Sequence, residues 1–235
     1  VIIYLIMWYK SNQLKRVNLQ INQTKVNILI GDIFKINKNE INVIAVNDFF
    51  DLIVDNRVVS ETSLHGQFIK KVKSKQIGTI EELNETIEKD EKLNVSDNKE
   101  DVPDRKKGRK VRYKIGSILE YESFVLTAFT KFNEKDKAYL SAQEYLEFWM
   151  KFWENIDGIY AGRTINIPLI GAGITRFKNG KPSKQELLEI MIWTLKISGF
   201  HNTYGNKSIN IVIYEPDAKE IDFYHIKHNL NFKNK

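Results

Sequence analysis

The sequence predicts an α/β fold, a three-layer α/β/α sandwich around a mixed, largely parallel sheet. Two observations predict it. Short runs rich in Val and Ile alternate with helical patterns through the second half of the chain, and several of these runs end in loops of Gly, Asp and Asn. Such loops are where an open, mostly parallel sheet keeps its ligands, beyond the carboxyl ends of its strands.

The elements follow in order. "VNLQI" (Val17 to Ile21), "VNILI" (Val26 to Ile30) and "INVIAVN" (Ile41 to Asn47) read as three strands, and "LHGQFIKKV" as a short helix. "GSILEY" and "SFVLTAF" are two strands around Glu122. In "SAQEYLEFWMKFWENI", Tyr145, Phe148, Trp149, Phe152 and Trp153 recur at helical spacing, which marks a core-facing stripe rather than a cofactor box. A strand from Ile165 to Ile170, a helix with Ser183 as its cap, a strand "SINIVIYE" and a final helix "AKEIDFYHIKHNL" complete the alternation.

Composition bounds the function. With 235 residues, 42% hydrophobic and 28% charged, the chain suits one domain with a sizeable core. A formal net charge of +6 fits any anionic partner, but the charge is mostly diffuse. The absence of cysteine removes disulfides, thiolate nucleophiles and cysteine zinc sites together. His201, His225 and His228 lie on a loop and a terminal helix without metal-ligand spacing, so no metal and no cofactor are expected. Residues 74–110 are rich in Glu, Lys, Asp and Asn, and composition presents them as a charged, partly disordered insertion with a marginal helix at "TIEELNETIEKDEKL". Acidic residues crowd its basic end, "DRKKGRK", which argues against a nucleic-acid patch there.

The first nine residues, "VIIYLIMWY", are apolar and precede Lys10, Lys15 and Arg16. They are shorter than the roughly 20 apolar residues a spanning helix needs. Aromatics followed by basic residues fit the end of a membrane-anchoring segment at an interface, and residues 1–16 are expected to form it, with the domain over 17–235 on the cytoplasmic side of the cell membrane. The alternative is a buried edge strand or a short packed helix.

Four loops leave strand carboxyl ends and are expected on one rim: Gly31-Asp32-Ile33-Phe34, Asn47-Asp48, Gly171-Ala172-Gly173-Ile174 and Tyr214-Glu215-Pro216. Glycines allow close approach of the backbone, and successive N–H groups in such a turn form a nest suited to a diphosphate. Asp32 can accept hydrogen bonds from an adenine or a ribose, or can cap a turn.

In that order, "NILIGDIF", "VIAVND" and "IPLIGAGI" resemble the macro domain, a fold that binds ADP-ribose. The resemblance runs from about Val17 onward and implies the fold given above. It implies that Asp32 holds the adenine amino group, with Ile33 lining the same pocket, and that Asn47, followed by Asp48, lies near the distal ribose. Gly171, Ala172, Gly173 and Ile174 would wrap the diphosphate, and Tyr214 or Phe223 would flank the adenine. The first phosphate loop departs from the pattern: where hydrolytic relatives have a run of glycines, this chain has "SETSLHGQFI", with Ser63, Leu64, His65 and the single Gly66. Ala172 replaces a serine or threonine of the second loop. A histidine with no evident carboxylate partner is expected to donate a hydrogen bond or pack rather than act as a base.

These departures, the insertion and the apolar N-terminus resemble the membrane-anchored macro-domain effectors of Thoeris anti-phage defence. That resemblance implies a receptor rather than an enzyme. Its ligand would be an ADP-ribose-derived signal, histidine-ADP-ribose, made by a TIR-domain partner, and binding would drive homo-oligomerisation and disruption of the lipid bilayer. The rival reading is an ADP-ribosyl hydrolase or deacylase holding water near Asn47, Asp48 or His65. A nucleic-acid module using Lys106 to Lys110 comes last.

Overall fold

A computed structural model describes residues 14–36, 39–132, 139–159, 161–200 and 208–230. The expected N-terminal anchoring segment falls almost wholly on residues 1–13, outside the described residues, as does His201. Among the described residues no helix is long and apolar enough to cross a membrane.

Seven strands form the central sheet: β1 (Arg16–Ile21), β2 (Thr24–Ile30), β3 (Ile41–Asn47), β6 (Ile118–Tyr121), β7 (Phe124–Thr130), β8 (Ile165–Pro168) and β9 (Ser208–Ile213). Their order across the sheet is β1-β2-β9-β8-β3-β7-β6. The five central strands run parallel, and an antiparallel strand closes each edge, β1 on β2 and β6 on β7. Two further short strands, β4 (Lys99–Asp101) and β5 (Val111–Tyr113), pair as a separate ribbon inside the 74–110 region and its flank.

Side chains alternate between two cores, one on each face of the sheet, as period-two strands require. Val43 on β3 and Val125 on β7 face one core with α3 (Ala142–Asp157), α4 (Lys184–Ile197) and α5 (Phe223–Asn229). Ile44 and Leu126 face the other with α1 (Leu64–Lys73) and α2 (Ile80–Lys89). The aromatic stripe of α3 is fully buried: Tyr145, Phe148, Trp149, Phe152 and Trp153 form a chain of edge-on and stacked contacts. Trp153 donates its Nε1 hydrogen to Thr194 Oγ1 on α4 at 3.1 Å, which ties the two helices together.

Capping boxes set the starts of α2, α3 and α4, through Thr79 with Glu82, Ser141 with Glu144, and Ser183 with Glu186. The last helix begins later than the sequence suggests. Pro216 opens a 3-10 turn over Glu215–Glu220, Ile221 is extended, and Asp222 caps α5 by accepting from the His225 N–H.

A polar ladder crosses the sheet. Asn27, Asn210, Asn166 and Asn42 occupy matched positions on β2, β9, β8 and β3. Asn27 Nδ2 donates to Asn210 Oδ1 at 2.8 Å, Asn210 Nδ2 to Asn166 Oδ1 at 2.7 Å, and Asn166 Nδ2 to Asn42 Oδ1 at 3.1 Å. Shifting any one strand by a residue would move its asparagine to the other face and leave its neighbours unsatisfied in a buried place. The ladder therefore holds four parallel strands in register.

Asn166 is fully buried at the ladder's centre and also donates to Glu40 Oε2 at 2.8 Å. Asn166→Ala should cost about 1–3 kcal/mol for each partner left unsatisfied, read by urea denaturation. A loss within 0.5 kcal/mol, roughly that of an ordinary surface change, would mean the ladder does not set the register.

Candidate functional site

Parallel strands in adjacent order put the carboxyl ends of β2, β9, β8 and β3 in a row on one rim. At about 4.8 Å per strand, the loops that leave them line a strip roughly 14 Å long. Along it lie, in order, Asp32, Tyr214, the Gly171 loop and Asn47.

At the β2 end, the Gly31 N–H donates to Ile213 O at 2.9 Å and joins the strand to β9. Asp32 caps a 3-10 turn over Ile33–Lys35, its Oδ1 accepting from the Phe34 N–H at 3.0 Å. Its Oδ2 lies 3.7 Å from Lys35 Nζ, and 42% of the side chain remains exposed. Turn cap and exposed acceptor thus coexist in one carboxylate. Ile33 is buried in the core beneath. Tyr214, at the end of β9, is 63% exposed and stands on the rim. Phe223, the other aromatic expected beside the adenine, belongs to the main hydrophobic core at the start of α5. Its position one residue after the Asp222 cap turns it inward.

After β8, Gly171 takes φ +91°, and a Cβ there would sit 3.2 Å from the Tyr145 ring. The conformation and the ring together require glycine. Tyr145 Oη donates to Ile170 O at 2.8 Å, which fixes the strand end. Ala172 is buried and its N–H donates to Leu169 O at 3.2 Å; Gly173 opens onto free space and Ile174 is 63% exposed.

The β3 end is built differently. Asn47 is buried, and its amide serves its own turn: Oδ1 accepts from the Phe49 and Asp51 N–H groups and Nδ2 donates to Asp51 Oδ2 at 2.9 Å. Asp51, fully buried, is held by a bidentate pair of bonds from Arg105 at 2.9 and 2.8 Å and by the Arg109 N–H at 2.8 Å. The Arg105 guanidinium lies 3.7 Å from the centre of the Phe49 ring. Asp48 is buried beside Arg112, whose Nε is 3.1 Å from Oδ2 as an ion pair outside hydrogen-bond alignment. Burial pushes the Asp48 carboxyl up to about 7, against the pull of Arg112.

Beneath this network, Ser63 caps α1 by accepting from the Gly66 N–H at 3.0 Å, and Leu64 packs partly buried against the second core. A Cβ on Gly66 would fall 2.2 Å from Ser60 O, so this glycine serves the close passage of its own preceding loop. His65 is buried next to Asp51 with a hydrogen bond to the Asp51 backbone, and desolvation lowers its pKa to about 4. The ring is neutral and packed. Its carboxylate neighbour was not legible from the motif, since Asp51 is fourteen residues upstream in a loop.

Most of the basic end of the 74–110 segment is engaged by other residues of the chain. Arg105 binds Asp51, Lys107 pairs with Asp55, Arg109 donates to Asn84, and Lys110 donates to Pro103 O. The segment is folded, with Leu83, Ile87 and Leu93 buried in the second core. Its polar composition conceals this because only one stripe of α2 is apolar, and because the buried arginine needs a partner from outside the segment. Sequence reasoning missed Asp51, Arg105 and Arg112 as a unit. Among the described residues no cluster of His, Cys, Asp or Glu could hold a metal ion.

The profile of the family described as Thoeris protein ThsA, Macro domain, matches residues 26–214. The chain belongs to the ThsA macro domain family. It is 34% identical to Thoeris protein ThsA of Bacillus amyloliquefaciens (strain Y2) over 226 residues, 96% of this chain and 74% of that protein. Among solved structures, an Oceanobacillus iheyensis macrodomain mutant aligns with a TM-score of 0.51 at 15% identity, over 92% of this chain and 93% of that one. This likeness shows a shared macrodomain fold, as the sequence motifs implied.

Two predictions follow from the ionic end of the rim. Arg105→Met leaves Asp51 buried and unpaired and should cost about 3–5 kcal/mol in chemical denaturation, whereas a loss near 1 kcal/mol would mean that Asp51 finds water. For pH, the two shifted groups have opposite signs. His65, lowered from 6.5 to about 4, stabilises above 6.5, and that contribution, on the order of 3 kcal/mol, fades as pH falls toward 4. Asp48, raised from 3.8 to about 7, contributes below 3.8 and loses its contribution as pH rises through 7. Thermal unfolding from pH 4 to 8 should therefore show His65→Gln losing the acid-side decline and Asp48→Asn losing the decline toward neutral pH.

Proposed function

We propose that this ThsA macro domain is the ligand-sensing part of a Thoeris effector, taking an ADP-ribose-derived signal along the carboxyl rim of its sheet. The single observation that carries the reading is the arrangement of that rim. An exposed carboxylate, Asp32, stands at one end with an exposed aromatic, Tyr214, beside it. A glycine loop with open backbone lies in the middle and a buried ionic wall at the other end. An adenine, a diphosphate and a distal ribose follow one another in the same way along an elongated ligand.

A receptor needs preorganised contacts and no activated group. The side chains that a hydrolase would use to hold water are each engaged elsewhere: Asn47 with its turn, Asp48 beside Arg112, and His65 neutral and buried. This supports the receptor reading over the hydrolase one. In this reading Asn47 acts on the distal ribose only indirectly, by shaping the turn that carries Asp51, against which His65 lies buried.

The histidine conjugate of ADP-ribose as the signal, a TIR-domain protein as its source, ligand-driven self-association, and contact of the apolar stretch Val1 to Tyr9 with a cell membrane complete the proposal. It rests on the likeness to ThsA and on the sequence. Calorimetric titration of the full chain with ADP-ribose, its histidine conjugate and NAD, followed by chromatography for products, tests it. Tight binding of the conjugate without turnover is expected, and product release would favour the hydrolase. Asp32→Ala should weaken every adenine-containing ligand by about 1.5–3 kcal/mol, and unchanged affinity would remove the adenine assignment.

A further inference from the structure

The loop after β8 is held shut on its outer side by one lysine. Gly180 takes φ +92° and turns the chain back, so that Lys181 points at the loop it has just left. Its ammonium donates to Ala172 O at 2.7 Å and to Gly173 O at a similarly short distance. Both peptides are trans, so in each the N–H points opposite to the carbonyl. With the carbonyls of 172 and 173 converging on one ammonium, the N–H groups of Gly173 and Ile174 are turned together toward the other side. Neither has an acceptor among the described residues.

We propose that Lys181 is a positioning residue that orients these two peptides as an anion-accepting pair. Two neighbouring amide dipoles pointing the same way repel each other, and without a counter-charge a glycine-flanked loop is free to rotate one of them. The ammonium on the carbonyl side removes that freedom before the ligand arrives. Its neighbourhood keeps it there. Lys184, the first residue of α4, is occupied by Asp217 at 2.6 Å and Glu220 at 2.8 Å, so these acids hold Lys184 rather than drawing Lys181 away. The loop is also pinned further along, where Leu140 exchanges backbone bonds with Arg176 O and the Lys178 N–H at 2.9 and 3.0 Å. Partial burial lowers the Lys181 pKa, in keeping with an ammonium solvated by carbonyls in place of water.

The inference rests on the ADP-ribose reading for its ligand, but not for its conformational part. The test uses the full chain as wild type, Lys181→Met and Lys181→Arg, with two readouts. In ligand-free protein, the backbone amide resonances of Gly173 and Ile174 should move in Lys181→Met and return toward wild type in Lys181→Arg. In titrations, Lys181→Met should bind ADP-ribose at least about tenfold more weakly, as for loss of charge-supported hydrogen bonds, while adenosine, which lacks the diphosphate, changes within about twofold. Equal weakening of both ligands would mark a general folding role and overturn the proposal. Unmoved amide resonances with weakened ADP-ribose binding would overturn it in favour of through-space attraction. Failure of the wild type to bind ADP-ribose would sink the functional reading instead, leaving the amide resonances to decide the orientation of the loop.

Discussion

Register across the parallel strands is the constraint on which the rest depends. Asparagine side chains can donate and accept at once, so a row of them in matched positions forms a continuous chain of bonds that an apolar row cannot. Asn27, Asn210, Asn166 and Asn42 make such a row. Hydrophobic packing would tolerate a slip of two residues with little change of face, but the ladder would not. Level strands give a level rim, and only a level rim brings Asp32, Tyr214 and the Gly171 loop into one line.

The rim divides into two physical regimes. From β2 to β8 it is peptide and exposed side chain, with conformations fixed locally by a turn cap, a glycine and a lysine. At β3 it is a buried ionic assembly whose arginines come from residues 105–112 and whose carboxylates come from residues 48–51. Isolated buried charges are expensive, and pairing them is worth most as a specification of geometry. Arg105 meets Asp51 only when the inserted segment is docked, so that docking and the shape of the β3 loop are a single event. The segment that looks appended in composition is thereby part of the site's wall.

Much of this was legible in the sequence. The alternation of Val/Ile runs with helical patterns gave the layers, the stripe from Tyr145 to Trp153 gave the larger core, and the loops at Asp32 and Gly171 gave the rim. Tyr214 and Phe223 were indistinguishable there, because whether an aromatic faces solvent depends on where a cap starts its helix. The 74–110 segment was misread for a related reason: a folded element whose charges are satisfied by distant partners has the composition of a disordered one. The repeated pattern of an asparagine between two β-branched residues, at 26–28, 41–43, 165–167 and 209–211, was present to be read. It states the register of the sheet, but only once the strand order β2-β9-β8-β3 is known, because a linear pattern does not say which strands are neighbours.

The antiparallel course of β1 has a consequence for access. Arg16 lies opposite Leu29, near the carboxyl end of β2, so the chain enters the sheet on the same side as the loops of the candidate site. Had β1 been parallel, the entry point would lie on the far side, behind the asparagine ladder. If the domain is held by what precedes Arg16, its mouth faces the support. A ligand must then reach the rim sideways through the gap, and two domains standing side by side on one support would present their mouths to the same narrow layer of solvent.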